Sequence, residues 1–207
     1  MSDANDQLPR QESDRILYEQ IIPDLHLHDA SSHEHPKAII VVGQPGACAA
    51  QVSRGAFAEL QGDVILIEPG ELADYHPRVR EFRREGYTWN ARTNADATAW
   101  AVRLQVHAAE LRKNLILDTS FTDGGLLNPV LIRGLRERGY EVDVRVVSAT
   151  RAESEFAIGA LFSNGMVNEG YGRYISKTVH DTSYALLPER LEAIQSGAIG
   201  PSGTVGG

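Results

Sequence analysis

The sequence predicts a single α/β domain, three layers deep, with a mainly parallel central sheet. Three observations carry that expectation. Short segments rich in Ile, Val and Leu recur at residues 38–42, 64–67, 115–117 and 142–147. Stretches long enough to form helices separate them. Strands that read as apolar runs, without regular polar alternation, are covered on both faces, which is the habit of parallel sheets joined by helical crossovers. The length of 207 residues suits one such domain and not two.

Taken in order, residues 1–12 are polar and acidic and are expected to be disordered. Residues 13–22 read as a short amphipathic helix, with Ile16, Leu17 and Ile21 on one side and Pro23 ending it. Residues 25–36 contain His26, His28, His33 and His35. Two His-x-His pairs are a metal-ligand pattern, but without a helix or strand to fix their geometry they read as a solvated linker. The first strand, 38–42, leads through a glycine turn to a helix over 49–61, and the second strand spans 64–67. A long helix is expected over 96–113, where Ala97, Trp100, Ala101, Leu104, Ala108 and Leu111 share a face. The third strand, 115–117, precedes a helix over 127–138 that Gly139 ends. The fourth strand, 142–147, precedes helices over 152–168 and 176–195. The folded domain is therefore expected over 13–196, with a Gly-, Ser- and Pro-rich disordered tail over 197–207.

Composition narrows the function. The chain has 28 acidic and 20 basic residues, a net charge of −8, and no basic block to hold a nucleic acid by its phosphates. A small anionic ligand needs only a local pocket and stays open. The single cysteine, Cys48, excludes an internal disulfide and fits a reducing compartment. The start of the chain is too polar for a secretory signal, and no apolar run has the length of a membrane span, so the expected location is cytoplasmic.

In an open parallel sheet, ligands bind at the carboxyl ends of the strands. There the segment AIIVVGQPGACAA has the placement of a phosphate-binding loop. The motif G-x-x-x-x-G-K-[ST] aligns with Gly43, Gln44, Pro45, Gly46, Ala47, Cys48, Ala49 and Ala50. Ala49 stands where the motif has the lysine that meets the outer phosphates, and Ala50 where it has the hydroxyl that holds Mg²⁺. Backbone amides at the helix start still attract an anion. A plain strand–helix turn remains the other reading of this loop.

Further segments follow in a set order: ILIEPGELADYHP, NLILDTSFTD, GLRERGYEVDVRVVSATRAESEFAIG and GYGRYISKTVHDTSY. With the loop, they resemble the zeta-toxin family, kinases that phosphorylate UDP-N-acetylglucosamine in epsilon/zeta toxin–antitoxin systems. The resemblance runs over about residues 13–191 and implies a P-loop kinase-like three-layer sandwich. It also implies ATP and Mg²⁺ as cofactors, a nucleotide sugar as substrate and an antitoxin protein as partner. Asp118 and Ser120 match the acid and hydroxyl that hold the sugar, and Arg173 matches a phosphate-binding arginine. The family's catalytic aspartate falls at Gly70, leaving Glu68 and Glu71 as neighbouring acids for a replacement base. Arginines of the family fall at Ala73, at Thr122 and within 162–164, where this chain has none. Two functional classes follow: a nucleotide-sugar kinase of weak or lost activity, and a pseudokinase that binds a nucleotide sugar or a protein partner.

Other candidates are local. Cys48 reads as an inert small residue, and Trp89 and Trp100 as packing residues. His76-Pro77 reads as structural, and His180-Asp181 as a helix-packing or local hydrogen-bonding pair and not a catalytic dyad.

Overall fold

A computed structural model of the chain describes residues 6–120 and 129–195. Four strands, β1 (Lys37–Gly43), β2 (Ile65–Ile67), β3 (Leu115–Ser120) and β4 (Glu141–Val147), form a sheet in the order β2-β3-β1-β4. Every pairing within it is parallel, with Gly43 level with Ser120 on one side and Val147 on the other. The expected α/β class and parallel sheet are what the described residues form.

Helices cover both faces, because β1 is apolar at every position from Ala38 to Val42. Ala38, Ile40 and Val42 face the larger core, which Trp100, Leu104 and Phe82 fill. Ile39 and Val41 face the smaller core, where Ala56, Val64 and Ile116 meet them. β4 is an edge strand and alternates exposed and buried residues at its start, Glu141 outside and Val142 inside. The absence of alternation expected for all four strands therefore fails at this one, since an edge strand has one wetter face.

The helices depart from the sequence reading at their bounds. The first, α1 (Arg10–Ile16), continues through a π-turn at Leu17–Ile21 into α2 (Ile22–Asp24) without a break. Pro23 lies in that last turn, which ends one residue later at Asp24. The segment before α1 is also held: Asp6 accepts hydrogen bonds from Arg78 and Arg92. Expected disorder up to residue 12 gives way here to an ordered strap from residue 6. Residues 1–5 and the 197–207 tail lie outside the described residues.

The histidine-rich stretch is anchored and not a freely solvated linker. Leu27 is fully buried, and His33 lies 3.0 Å from Asn114 Nδ2 and 3.2 Å from Asp63 Oδ2. His26, His28 and His35 remain exposed.

After the turn at Gly43, α3 (Ala49–Glu59) packs on the smaller core. Two short helices, α4 (Pro69–Leu72) and α5 (Val79–Glu85), follow β2, though no apolar period announces them. The long helix α6 (Trp89–Glu110) begins two turns earlier than its apolar stripe suggests. Its first turns bury Trp89, Thr93 and Asp96, a mixed set that hides the period. Trp100 is buried and donates from Nε1 to Ser13 Oγ and Ser13 O, which fixes α6 against α1. Helix α7 (Pro129–Glu137) ends at Gly139, whose φ of +81° is the left-handed conformation of a helix C-terminus. Residues 127–128, expected to begin it, are not among those described. Two helices close the chain, α8 (Arg151–Asn168) and α9 (Lys177–Gln195). Thr150 and Glu153 form a reciprocal capping box at the start of α8. Among the described residues no helix is long and apolar enough to cross a membrane.

Candidate functional site

The carboxyl ends of β1, β2 and β3 bring together candidates that lie far apart in the sequence. The β1–α3 loop is the centre. Gly43 is closed in by β4, since a Cβ there would stand 2.7 Å from Val147 O. Gln44 is buried and donates from Nε2 to Ala149 O at 2.7 Å, tying the loop to the segment before α8. Gly46 has a φ of +84°, and a Cβ on it would collide with Ser154 O, so α8 leaves room only for glycine. Ala47 is buried and donates its N–H to Gln44 O, which tightens the turn. Cys48, where the motif has its second glycine, is exposed and sits at a φ of +62°. The glycine-requiring backbone conformation persists there without the glycine.

Helix α3 opens without a side-chain cap and without an acidic residue in its first turn. Its unpaired amides and the positive end of its dipole therefore suit an anion. Ala49 and Ala50 add neither a charge nor an oxygen. One turn further on, buried Ser53 donates to Asp118 Oδ2 at 2.7 Å. That bond joins α3 to β3 across 65 positions, and nothing in the sequence singles out Ser53 for it.

Asp118 lies near the end of β3, and Glu68 stands at the N-cap of α4 directly after β2. Burial pushes the Asp118 carboxyl above its ordinary value, against the Ser53 hydrogen bond and the positive charge of Arg173. Burial also pushes Glu68 up, and the charges of Asp118 and Glu71 add to it, while Arg173 and Arg54 oppose it. A carboxyl raised in this way takes a proton more readily, the property a general base needs. Glu71 is exposed on the first turn of α4. Two cavities flank Glu68: one of about 390 Å³ reaching Ala50, Ser53 and Arg54, the other of about 420 Å³ reaching Glu71, Leu72 and Tyr75.

Arg173 reaches this acidic group from the segment between α8 and α9. A Cβ built on Gly70 would overlap Arg173 Nη1 and lie 2.7 Å from its Cζ, so the guanidinium lies in the room a side chain at position 70 would take unless the arginine moved aside. The segment is held from behind. Trp89 donates to Gly172 O at 2.9 Å, and Asn90 donates to Tyr174 O at 2.9 Å. Trp89 is thus a packing and anchoring residue, as the sequence suggested. Only the fold could reveal the Arg173–Gly70 contact, because neither residue is unusual in its own segment.

The remaining candidates separate from this centre. Ser120 ends β3 level with Gly43, though its side chain is not among those described. Thr122 lies outside the described residues. His76 is buried 3.6 Å from Asp96 Oδ2 and accepts from the Arg78 N–H, in keeping with a structural part. His180 contacts Ser154 of α8 at 2.7 Å, which is the helix-packing bond expected of it.

The site can offer backbone amides and two arginines to an anion, and three carboxylates to hydroxyl groups. Its charge set is poorly suited to a polyphosphate with its metal. Where ATP and Mg²⁺ would sit, the ammonium and hydroxyl of the motif are replaced by the methyl groups of Ala49 and Ala50. The residues present do not fit that cofactor pair in the motif's usual manner.

Known proteins share both the sequence pattern and the fold. The sequence model of the family described as Zeta toxin matches residues 24–200. No curated protein matches the chain. Among solved structures, one from a study of the PezAT chromosomal toxin–antitoxin system of Streptococcus pneumoniae superposes with a TM-score of 0.77. It is 19% identical, over 94% of this chain and 76% of its own. A putative kinase from Chloroflexus aurantiacus superposes with a TM-score of 0.53 at 16% identity, over 76% of this chain and 80% of its own. At these identities the two structures speak for the fold alone.

Proposed function

This chain belongs to the zeta-toxin family, and we propose that it keeps the family's kinase fold and nucleotide-sugar pocket with its own phosphoryl transfer weak or lost. The reaction at issue is ATP-dependent phosphorylation of UDP-N-acetylglucosamine, as the toxin of a toxin–antitoxin pair. One observation carries the reading. The guanidinium of Arg173 fills the space at Gly70, where the family resemblance puts the catalytic aspartate. A cation stands where a base would have to draw a proton from the sugar.

The loop points the same way. Phosphoryl transfer rests on positioning and on neutralising charge, with little covalent work for the protein. An arginine that stabilises the transition state is worth about 10³–10⁵-fold in such reactions, and Ala49 likewise takes a cation away from the phosphates. Glu68 has the burial and raised carboxyl of a base, yet a base alone leaves the phosphates unneutralised.

The acidic half of the pocket supports retained sugar binding. Asp118 held by Ser53, with Glu68 beside it, offers acceptors to sugar hydroxyls, and Arg173 offers a donor to a diphosphate. The second reading, a binding module for a nucleotide sugar or a protein partner such as an antitoxin, rests on the same intact carboxylate cluster.

The test is ligand-dependent melting of the full chain, with UDP-N-acetylglucosamine and ATP–Mg²⁺ in separate titrations. A ligand at a hundred times its Kd stabilises by about 2.7 kcal/mol. Stabilisation by the sugar nucleotide that Asp118→Asn diminishes, with none from ATP–Mg²⁺, is the expected result. Equal stabilisation by ATP–Mg²⁺ would refute the loss of the phosphate site.

A further inference from the structure

Outside this pocket, the junction of α8 and α9 holds a second group of side chains. We propose that Glu155, His180 and Asp181 form a binding site for a divalent ion of the zinc class. The contacts of Ser154 accommodate the tautomer that such a site needs. Ser154 Oγ lies 3.0 Å from Arg151 O, a carbonyl that can only accept, so the single hydroxyl hydrogen is directed there. The same Oγ lies 2.7 Å from His180 Nε2, and while its hydrogen is on Arg151 O it accepts from that nitrogen. In that arrangement the N–H of a neutral imidazole is on Nε2, and Nδ1 carries a lone pair.

That lone pair is buried and unsatisfied. His180 is 2% exposed, and its Nδ1 has no hydrogen-bond partner. It faces two carboxylate oxygens, Asp181 Oδ1 at 3.5 Å and Glu155 Oε1 at 3.9 Å. Three such donor atoms gathered together favour a cation among them, and only the two carboxylates have one at present, from Arg151 and Lys177. The donor atoms all lie within 4.8 Å of each other. A tetrahedral zinc with bonds of about 2.1 Å places its ligands about 3.4 Å apart, close to both histidine–carboxylate separations.

The surroundings suit an ion of that kind. One nitrogen and two oxygens match zinc better than magnesium or calcium, which prefer all-oxygen sets. The Nε2–H bond to Ser154 is the outer-shell contact that fixes a metal-binding histidine in its tautomer. Glu155 and Asp181 are 50% and 38% exposed, which leaves an entry path and an open coordination position.

Two cations already attend these carboxylates. Arg151 Nη1 is 2.5 Å from Asp181 Oδ1 and 3.8 Å from Glu155 Oε1, and Lys177 Nζ is 2.5 Å from Asp181 Oδ2. Arg151 thus bridges the two oxygens an ion would take. Its side chain is 48% exposed and can swing into solvent, while Lys177 can stay on the other oxygen. The ion would clamp α9 to α8 next to Ser154, whose carbonyl packs on Gly46 of the loop.

The experiment is zinc titration of the full chain by calorimetry, with cobalt absorption as a readout of tetrahedral geometry. One ion per chain is expected. Asp181→Asn and His180→Gln should each weaken binding at least about tenfold, the lower end of what an outer-shell change costs. Arg151→Gln should tighten it, an effect a merely structural salt bridge would not show. Should His180→Gln fail to fold, Asp181→Asn, at a partly exposed site, carries the same test. The exposed pair His26 and His28 supplies the control, and His26→Ala with His28→Ala should leave binding unchanged. No zinc binding by the full chain would overturn the proposal. So would binding that survives Asp181→Asn, or binding that the His26 and His28 changes abolish.

Discussion

Replacing Ser53 by alanine should destabilise the chain at neutral pH by about 1.5–3 kcal/mol, the range for a hydrogen bond to a charged group. The structure sets the terms. Ser53 is 2% exposed, and the bond to Asp118 Oδ2 is 2.7 Å long. Burial already pushes the Asp118 carboxyl above its usual 3.8, and Ser53 is the largest influence holding it down. Without the hydroxyl, a half-buried carboxylate loses its main stabiliser. In an Asp118→Asn background the same change breaks only a neutral bond, worth about 0.5–1.5 kcal/mol. The sign of the pH effect follows. Asp118 has a raised carboxyl, so the folded chain loses stability from it as pH rises above 3.8 through the folded value. The Ser53→Ala penalty should therefore be largest at neutral pH and shrink as acid protonates Asp118. Urea unfolding of the four proteins, at neutral pH and again near 3.8, measures both trends. A penalty below about 0.5 kcal/mol at neutral pH, or one equally large in the Asp118→Asn background, would refute the reasoning.

Three further outcomes follow from the same structure. Trp100→Phe should cost about 2 kcal/mol in chemical denaturation, since it leaves Ser13 without its buried donor and opens a small cavity; a loss within error would contradict that anchoring bond. Cys48→Gly should stabilise by about 1 kcal/mol by relieving the left-handed backbone at that residue, whereas Cys48→Val should destabilise, and the reverse order of melting temperatures would exclude strain there. Burial holds the His76 imidazole below its ordinary 6.5, so its contribution to stability is complete above pH 6.5 and is lost as pH falls through that value toward the folded one. A His76→Gln variant should flatten the stability curve in that window, and an unaltered slope would show that His76 does not titrate there.

Much of the sheet is legible in the sequence because β1 and the start of β3 are apolar runs with no helical alternative. β4 is legible as a strand, but its place at an edge is not, since its polar alternation is partial. Helix α5, with the sequence VREFRRE, is invisible because it buries only Val79 and Phe82 among charged residues. The start of α6 is hidden for a related reason: Thr93 and Asp96 are polar and buried, and an apolar period cannot register them. The site is legible in part. Gly43 to Ala50, Glu68 and Asp118 sit at strand ends, where position alone nominates them. Ser53 escapes notice because it lies beyond the motif, and its partner is 65 residues away. The Arg173–Gly70 contact and the Ser154–His180 pair escape it because both depend on how α8 and α9 return to the sheet. Residue spacing cannot encode such a return.

Phosphoryl transfer slower than this fold would allow is the central claim. The direct measurement is the turnover number with ATP–Mg²⁺ and UDP-N-acetylglucosamine, read as phosphorylated sugar by mass spectrometry. Kinases typically turn over at about 1–100 s⁻¹, and the expected value for this chain lies at least about 10³-fold below that range. Turnover within the range, abolished by Glu68→Gln, would contradict the claim and make Glu68 the working base.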